Sequence, residues 1–415
     1  MRSLIATLAA LTCLATGCAN SPLSTRLAGT PVSAQQRQAA YDPGRVVVRF
    51  KKAAAATGAA SLASRLGLRT LGAIPALDAA VLAVPTGKTV TSVLGSLRGA
   101  AEVAYAEPDY IVRASGANGP VVDPAIHIDP DLSTQWGLDK VHAPQAWQVT
   151  RGSADVVVAV LDTGVDLEHP DLRANLVPGI TYWPEQGAPM DYHGHGTHVA
   201  GIIAAKLGNT EGGAGVAPGC KIMPIKVMGP KGPEGKVEFV AAGLVWAADH
   251  GAKIANMSLG DEGTSTLLRD AVAYALSKDV VIVAASGNFD PEKHSTTNTL
   301  DYPAGYPGVM AVGATDSDDQ LADFSFWGSW LSVVAPGVEI YSTVPGNAYR
   351  GEDGTSMASP FVAGVAALVR SRFPRLSGVE VKRRIENTAK DLGNPGADDH
   401  FGHGRIDAAA AVAGG

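Results

Sequence analysis

Cysteine is nearly missing from this chain. Only three occur in 415 residues, and Cys13 and Cys18 both fall within the first eighteen. The body of the chain therefore keeps Cys220 alone, and no intramolecular disulfide can brace it. A lone thiol at the head of the apolar run CKIMPIKVM reads as a buried structural group, not a nucleophile. Also missing is any long basic run. The formal net charge is -7, which leaves no electrostatic footprint for a nucleic-acid partner. Beyond the N-terminal segment, no stretch has the length and apolarity of a membrane span. What remains is an ordinary globular composition, 46% hydrophobic and 18% charged. The length allows two domains, or one large domain with appendages.

The start, MRSLIATLAALTCLATGC, has one early Arg, an apolar stretch and then small residues, the pattern of a secretory signal over residues 1–18. Its end offers two readings. LATGC suits lipid attachment at Cys18 after cleavage behind Gly17, because Leu14, Ala15 and Gly17 are the small or apolar residues such a site wants. A plain secretory cut nearby is the alternative. Either way the chain is expected outside the cytoplasm, free or anchored to the cell envelope.

A polar, Gln-rich linker (19–40) leads to a first unit over 41–115. RVVVRF, LRTLGAI, DAAVLAVP and EVAYAE read as strands, while AAAATGAASLASRLG and TVTSVLGSLRGA read as helices. The order βαββαβ is the α+β, ferredoxin-like arrangement, and a small independent binding module would also look like this. SGANGPVVDP begins a linker over 116–128. From 129 to 415, β-branched runs such as VVVAVLD, KIMPIKVM and VVIVAASGN alternate with helical patterns. That predicts an α/β domain in three layers, a parallel sheet covered on both faces. Ligands in such folds gather at the carboxyl ends of the strands.

Four side chains fall at those ends: Asp162 in VLDTGVD, His195 in HGTHVAG, Asn288 in ASGN and Ser356 in GTSMASP. Each has a plainer explanation on its own. Asp162 could start a turn before Gly164, and Asn288 could be turn chemistry. Ser356 and Ser359 could cap the helix that follows. His193, His195 and His198 form HxHxxH, which could be a metal cluster. Together, however, an acid, an imidazole, an amide and a hydroxyl are the set that acyl hydrolysis needs. A serine is a weak nucleophile and requires a base. The base requires an orienting carboxylate, and the oxyanion requires fixed donors.

With its Asp…His…Ser order and these blocks, plus QWGLDKVHAPQAW and DYPAGYPGVMAVGA, the chain resembles the subtilisin-like serine proteases, the subtilases, from about Asp129 to its end. The resemblance implies a secreted serine endopeptidase acting on protein and peptide substrates through an acyl-enzyme. Ser356 would be nucleophile, His195 general base and acid, Asp162 the orienting carboxylate, and Asn288 an oxyanion donor. Ser258, Leu259 and Gly260 would line the first specificity pocket opposite Ala285, Ser286 and Gly287, with Phe289 at the rim. Asp301 would fall near the pocket floor, where it would favour a basic P1 residue; the competing reading has it facing solvent or pairing locally. Calcium is the implied brace, held by Asp129, Asp171 and Asn209 with backbone carbonyls of Lys206, Glu211 and Gly213. The 41–115 unit would be an inhibitor-type propeptide, cut within 111–127 by the enzyme itself; Arg113 is the tempting position if Asp301 faces the pocket. Family serine blocks usually continue Pro-His, whereas here Phe361 follows Pro360, so altered packing is expected there. A monomer is expected. A catalytically inactive relative acting as a binding protein is the rival reading, and a metalloenzyme built on HxHxxH is a second.

Overall fold

Strand β1 (Tyr41–Phe50) alternates its apolar residues between two faces, and that alternation assembles the N-terminal unit. The computed structural model describes residues 39–52, 55–114, 117–122, 134–183, 187–229, 232–291, 294 and 296–414. The export segment with Cys18, most of the linker, and Asp129 lie outside the described residues. The unit continues through α1 (Ala55–Leu66), β2 (Arg69–Ile74), β3 (Ala79–Ala83), α2 (Val90–Arg98) and β4 (Val103–Ala114). Its antiparallel strands run in the order β2-β3-β1-β4, which is the βαββαβ arrangement expected from the sequence. Val46, Val48 and Phe50 face the unit's own helices, packing on Leu62, Leu94 and Leu97. Val47 and Val81 point the other way, into a core shared with the second unit.

That second unit is built on a seven-stranded sheet. Its strands are β6 (Val157–Asp162), β7 (Ile180–Thr181), β8 (Lys221–Lys226), β10 (Ile254–Met257), β12 (Val281–Ala285), β13 (Met310–Thr315) and β14 (Val333–Pro336). They lie parallel in the order β14-β13-β12-β10-β6-β8-β7. The central strands are buried along almost their whole length, as continuous Val/Ile/Ala runs require when both faces are covered. On one face lie α3 (His195–Ala204) and α6 (Thr355–Arg372), whose apolar residues belong to one core. On the other lie α4 (Val237–Asp249) and α5 (Thr266–Ser277), in the core shared with β1 and β3.

Short strands tie the two units together. Strands β9 (Glu234–Lys236) and β11 (Leu259–Gly260) pair antiparallel with the end of β4 from opposite sides. Residues Ile111–Arg113 face β9, and Arg113 and Ala114 face β11. Past two residues, β5 (Ala117–Val122) pairs with β16 (Ala348–Asp353), which pairs in turn with β15 (Ile340–Val344). The N-terminal unit also caps two helices of its neighbour. Glu107 accepts from the backbone N–H groups of Thr266 and Leu267 and from Ser265 Oγ at the start of α5. Asp109 accepts from the N–H of Glu238 at the start of α4. Both carboxylates sit where free N–H groups and the helix dipole favour negative charge.

Candidate active site

Asp162 ends β6 and is fully buried. Its Oδ1 accepts from His195 Nδ1 at 2.7 Å and from the N–H of Thr163 at 2.7 Å. His195 opens α3 and is 3% exposed. Gly194 precedes it at φ 112°, a left-handed conformation natural to glycine. With Nδ1 committed to Asp162, the ring presents Nε2, which is buried and has no hydrogen-bond partner among the described residues. Burial pulls the imidazole's pKa down. The charge and hydrogen bond of Asp162, with Glu352 and Asp191 behind them, outweigh it and raise the ring above its ordinary value.

Ser356 is the second residue of α6, after Gly354 at φ 148°. Pro360 sits four residues further inside the same helix and has no N–H to give the Ser356 carbonyl. That carbonyl instead accepts from Ser258 Oγ at 2.8 Å, while Ser356 Oγ donates back to the Ser258 carbonyl at 3.0 Å. Ser258 Oγ also accepts from Asn256 Nδ2 at 3.0 Å, and Ser359 Oγ donates to Asn256 Oδ1 at 2.7 Å. Ser359 thus belongs to the buried support beneath Ser356, in keeping with the structural part expected of it. Phe361 is buried against Gly137, where a Cβ would come within 2.6 Å of the ring.

Asn288 lies three residues beyond β12, and its Oδ1 accepts from the N–H and the Oγ1 of Thr355 at 3.0 and 2.8 Å. Those two donors fix the amide's orientation and leave Nδ2 as its donor. Asp301 is 7% exposed. A Cβ built on Gly287 would stand 2.5 Å from its Oδ2, and one on Gly260 3.2 Å from it. The carboxylate therefore touches both walls of the expected pocket and is buried, which removes the solvent-facing reading. Burial, then the charges of Asp261 and Glu262, push its pKa well above the ordinary carboxyl value.

Other expected groups separate. His198 Nε2 faces the Arg350 carbonyl at 3.1 Å while His195 faces Asp162, so the three histidines do not converge. Cys220 is buried beside Ser371 Oγ, and burial pushes its thiol up, which suits a structural thiol. At the expected calcium loop, Asp171 is fully buried. Its Oδ1 accepts from Asn209 Nδ2 at 2.9 Å and from the N–H of Lys206 at 3.1 Å. The Asn209 amide oxygen accepts from the N–H of Glu211. Asp171, Asn209 and the Lys206 and Glu211 backbone are thus brought together, with protein donors on the oxygens a cation would take. Among the described residues, no three His, Cys, Asp or Glu side chains cluster to hold a metal.

Sequence reasoning missed Asp191, Lys226, Glu107 and Asp109. Asp191 stands four residues before His195 in DYHGH, and a buried acid just ahead of a glycine-capped helix is the signal that could have found it.

Comparison with known proteins agrees with this geometry. The sequence profile described as "Subtilase family" matches residues 153–404, and that of the "Fervidolysin N-terminal prodomain" matches residues 28–109. The "Thermophilic serine proteinase" of Bacillus sp. (strain AK1) is 37% identical over 381 residues, covering 92% of this chain and 90% of that protein. "Subtilisin Savinase" of Lederbergia lenta is 44% identical over 280 residues, covering 68% of this chain and 99% of that one. Among solved structures, fervidolysin from Fervidobacterium pennivorans, titled a keratinolytic enzyme related to subtilisin, superposes with a TM-score of 0.79 at 32% identity. The match covers 91% of this chain and 62% of that one. Among the described residues no helix is long and apolar enough to cross a membrane. The buried Asp162–His195 pair, the two matched profiles in chain order and these relatives lead to one conclusion: the chain belongs to the subtilase family and is a subtilisin-like serine protease with an N-terminal prodomain.

Proposed function

We propose that the chain is an endopeptidase zymogen in which Ser356, His195 and Asp162 are the catalytic triad. The observation that carries this reading is the path of the chain itself. The end of β4 runs as a strand between β9 and β11 toward Ser356, the way a peptide substrate adds to a sheet edge. Catalysis starts when Ser356 Oγ turns from the Ser258 carbonyl to His195 Nε2 and attacks the peptide carbonyl carbon. His195 takes the hydroxyl proton and later gives it to the leaving amine, and Asp162 stabilises the charged imidazole between those steps. Asn288 Nδ2 and the Ser356 N–H, in the first turn of α6, receive the oxyanion. Water then hydrolyses the acyl ester. Replacing Ser356 by Ala should leave the protein at full length, whereas self-cleavage of that variant would remove the triad reading.

Strands β4 and β5 bracket the bond cut in maturation. Ala114 faces Leu259, the neighbour of Ser258, whose carbonyl accepts from Ser356 Oγ. From the other side, Ala117 pairs with Asp353, three residues before Ser356. Both registers favour the bond between Ser115 and Gly116. Arg113 is offset: it faces Gly260 and approaches Glu234 and Asp261. The division between an inhibitory prodomain (41–115) and the protease (129–415), with its linker (116–128), is then functional. A lipid on Cys18 would stay with the prodomain, and the mature protease would leave free of it. The first eighteen residues support export. The N-terminus of the processed protein, read by mass spectrometry, tests the cut: any terminus upstream of Ser115 in the first product refutes it.

At the pocket, we assign Ser258, Leu259, Gly260 and Ala285, Ser286, Gly287 to the P1 walls and Asp301 to its base, with preference for Lys or Arg. We further propose that Asp171 and Asn209 hold a structural calcium ion, with carbonyls of Lys206, Glu211 and Gly213 and with Asp129. Turning the Asn209 amide over would exchange a donor for the acceptor a hard cation needs. Calcium there would brace a loop that no disulfide can.

A further inference from the structure

For the Asp162–His195 pair to exist, the end of β6 and the start of α3 must hold their places. A second carboxylate joins them. Asp191 is 2% exposed and accepts five hydrogen bonds. Its Oδ1 takes the N–H groups of His193 and Gly194 and the hydroxyl of Thr163, each at 2.9 Å. Its Oδ2 takes the N–H of Thr197 at 2.9 Å and that residue's hydroxyl at 2.6 Å. Gly194, the cap residue of α3, has no side chain to serve the helix start, so Asp191 does so from three residues upstream. Thr163, adjacent to Asp162, completes the link, for its Oγ1 also accepts from the N–H of Gly196 at 2.9 Å. One carboxylate thus touches both neighbours of the triad pair.

Its charge has a buried counterpart. Lys226 is fully buried at the end of β8 and donates to the Thr163 carbonyl. Burial draws its pKa down while Asp191 and Asp162 hold it up. Among the described residues, the charged and titratable groups around the His195 ring are Asp162, Asp191, Glu352, His193 and His198, with Arg350 paired to Glu352 beside Gly194 and Lys226 beyond Asp162.

We infer that Asp191 is a positioning residue for peptide hydrolysis: it locks α3 onto the end of β6, fixes the His195 ring against Asp162, and adds a second negative charge behind it. This rests on the triad reading above. Neither its neighbours' motif nor the family match assigns it such a part.

The test uses the full chain after its own processing, with active sites counted by a fluorophosphonate and kcat, KM and the pH profile taken on a peptide substrate. Asp191→Asn keeps the shape, removes the charge and turns one acceptor into a donor facing donors. It should lower kcat per titrated site by about ten- to a hundredfold, with KM within about twofold. The acid limb of kcat/KM should move to lower pH by about half a unit, a fraction of what a charge in direct contact supplies. Thr163→Val cuts the link without touching a charge, so it should lower kcat and leave the acid limb in place. A purely structural Asp191 would reduce the number of titrated sites only. Wild-type kcat per site, or an unmoved acid limb, in Asp191→Asn overturns the inference. If that variant yields no folded protein, wild-type turnover in Thr163→Val overturns it. Failure of the fluorophosphonate to label wild type removes the triad reading itself.

Discussion

Five charged side chains meet where the prodomain covers the protease, and their balance predicts how the complex responds to pH. The prodomain supplies Asp42, Arg45 and Asp109; the protease supplies Lys236 and Glu238. Arg45 pairs with Glu238, and Lys236 pairs with Asp42 at 2.5 Å. Asp109 has no cation of its own. It is fully buried, its Oδ1 accepts from the Glu238 N–H at 3.2 Å, and its Oδ2 has no partner among the described residues. Burial first, then the charge of Glu238, raises its pKa well above 3.8, and burial raises Glu238 too. Separating prodomain from protease returns both carboxyls to water and to ordinary values. The bound state therefore holds the extra proton. Retention of the prodomain is fully supported below the ordinary carboxyl value and weakens as pH climbs through the raised one. Each proton so linked changes the dissociation constant about tenfold per pH unit inside that window, or ~1.4 kcal/mol. Asp109→Asn keeps the acceptor for the Glu238 N–H and abolishes that residue's own titration. It leaves the Glu238 titration in place, so it should make the profile shallower and slow prodomain release at alkaline pH by about ten- to a hundredfold. The assay is native mass spectrometry of freshly processed complex held across a pH series, read as the fraction retaining prodomain. Equal slopes for wild type and Asp109→Asn, or retention that rises with pH, would refute the reasoning.

Asn288→Ala removes one oxyanion donor and should lower kcat by about 10²- to 10³-fold with little change in KM, measured on a peptide ester; an unchanged kcat would contradict the oriented amide. Asp301 carries its charge only above its raised pKa, so the ratio of kcat/KM for Lys or Arg over Leu at P1 should climb with pH and collapse in Asp301→Gly; a large-apolar preference indifferent to that substitution would sink the pocket assignment. Removing calcium with a chelator should lower the thermal midpoint by several degrees, an effect lost in Asp171→Asn; unfolding that ignores the chelator in wild type would argue against the loop site.

Much of this architecture is legible because its local chemistry is unambiguous. Runs such as VVAVL, ahead of Asp162, and VIVAA are apolar at every position, which only a strand covered on both faces can use. Those strands then carry Asp162, Ser258 and Asn288 to neighbouring ends of one sheet. The prodomain's own fold was readable from its alternation, since Val46 and Val48 pack one way and Val47 the other. Less legible are residues whose meaning depends on a partner far along the chain. Glu107 and Asp109 look like polar residues at a strand's end, and only the fold brings them to the starts of α5 and α4, some 130 to 160 residues away. Asp191 is similar, since no periodicity announces a carboxylate that caps a helix from outside its cap position. Arg113 is a related case: its charge suggested the pocket, and the pairing register sets it opposite Gly260.

Pro360 shows why departures from local rules gather at the site. In a helix interior, proline costs about 3 kcal/mol by removing one backbone bond and crowding the turn before it. Here the orphaned carbonyl belongs to Ser356, and it is met by Ser258 Oγ, which Asn256 and then Ser359 hold in place. A regular helix would bury that carbonyl in its own ladder and leave Ser258 free to turn away. Breaking the ladder instead couples Ser356 to the end of a sheet strand, through paired contacts at 2.8 and 3.0 Å. Ser356 and Ser258 are then tied to each other by one buried pair. Proline's helix penalty falls at the position where the lost bond is replaced by one that ties the helix start to the sheet beside the proposed triad, as expected when a local rule is broken for function.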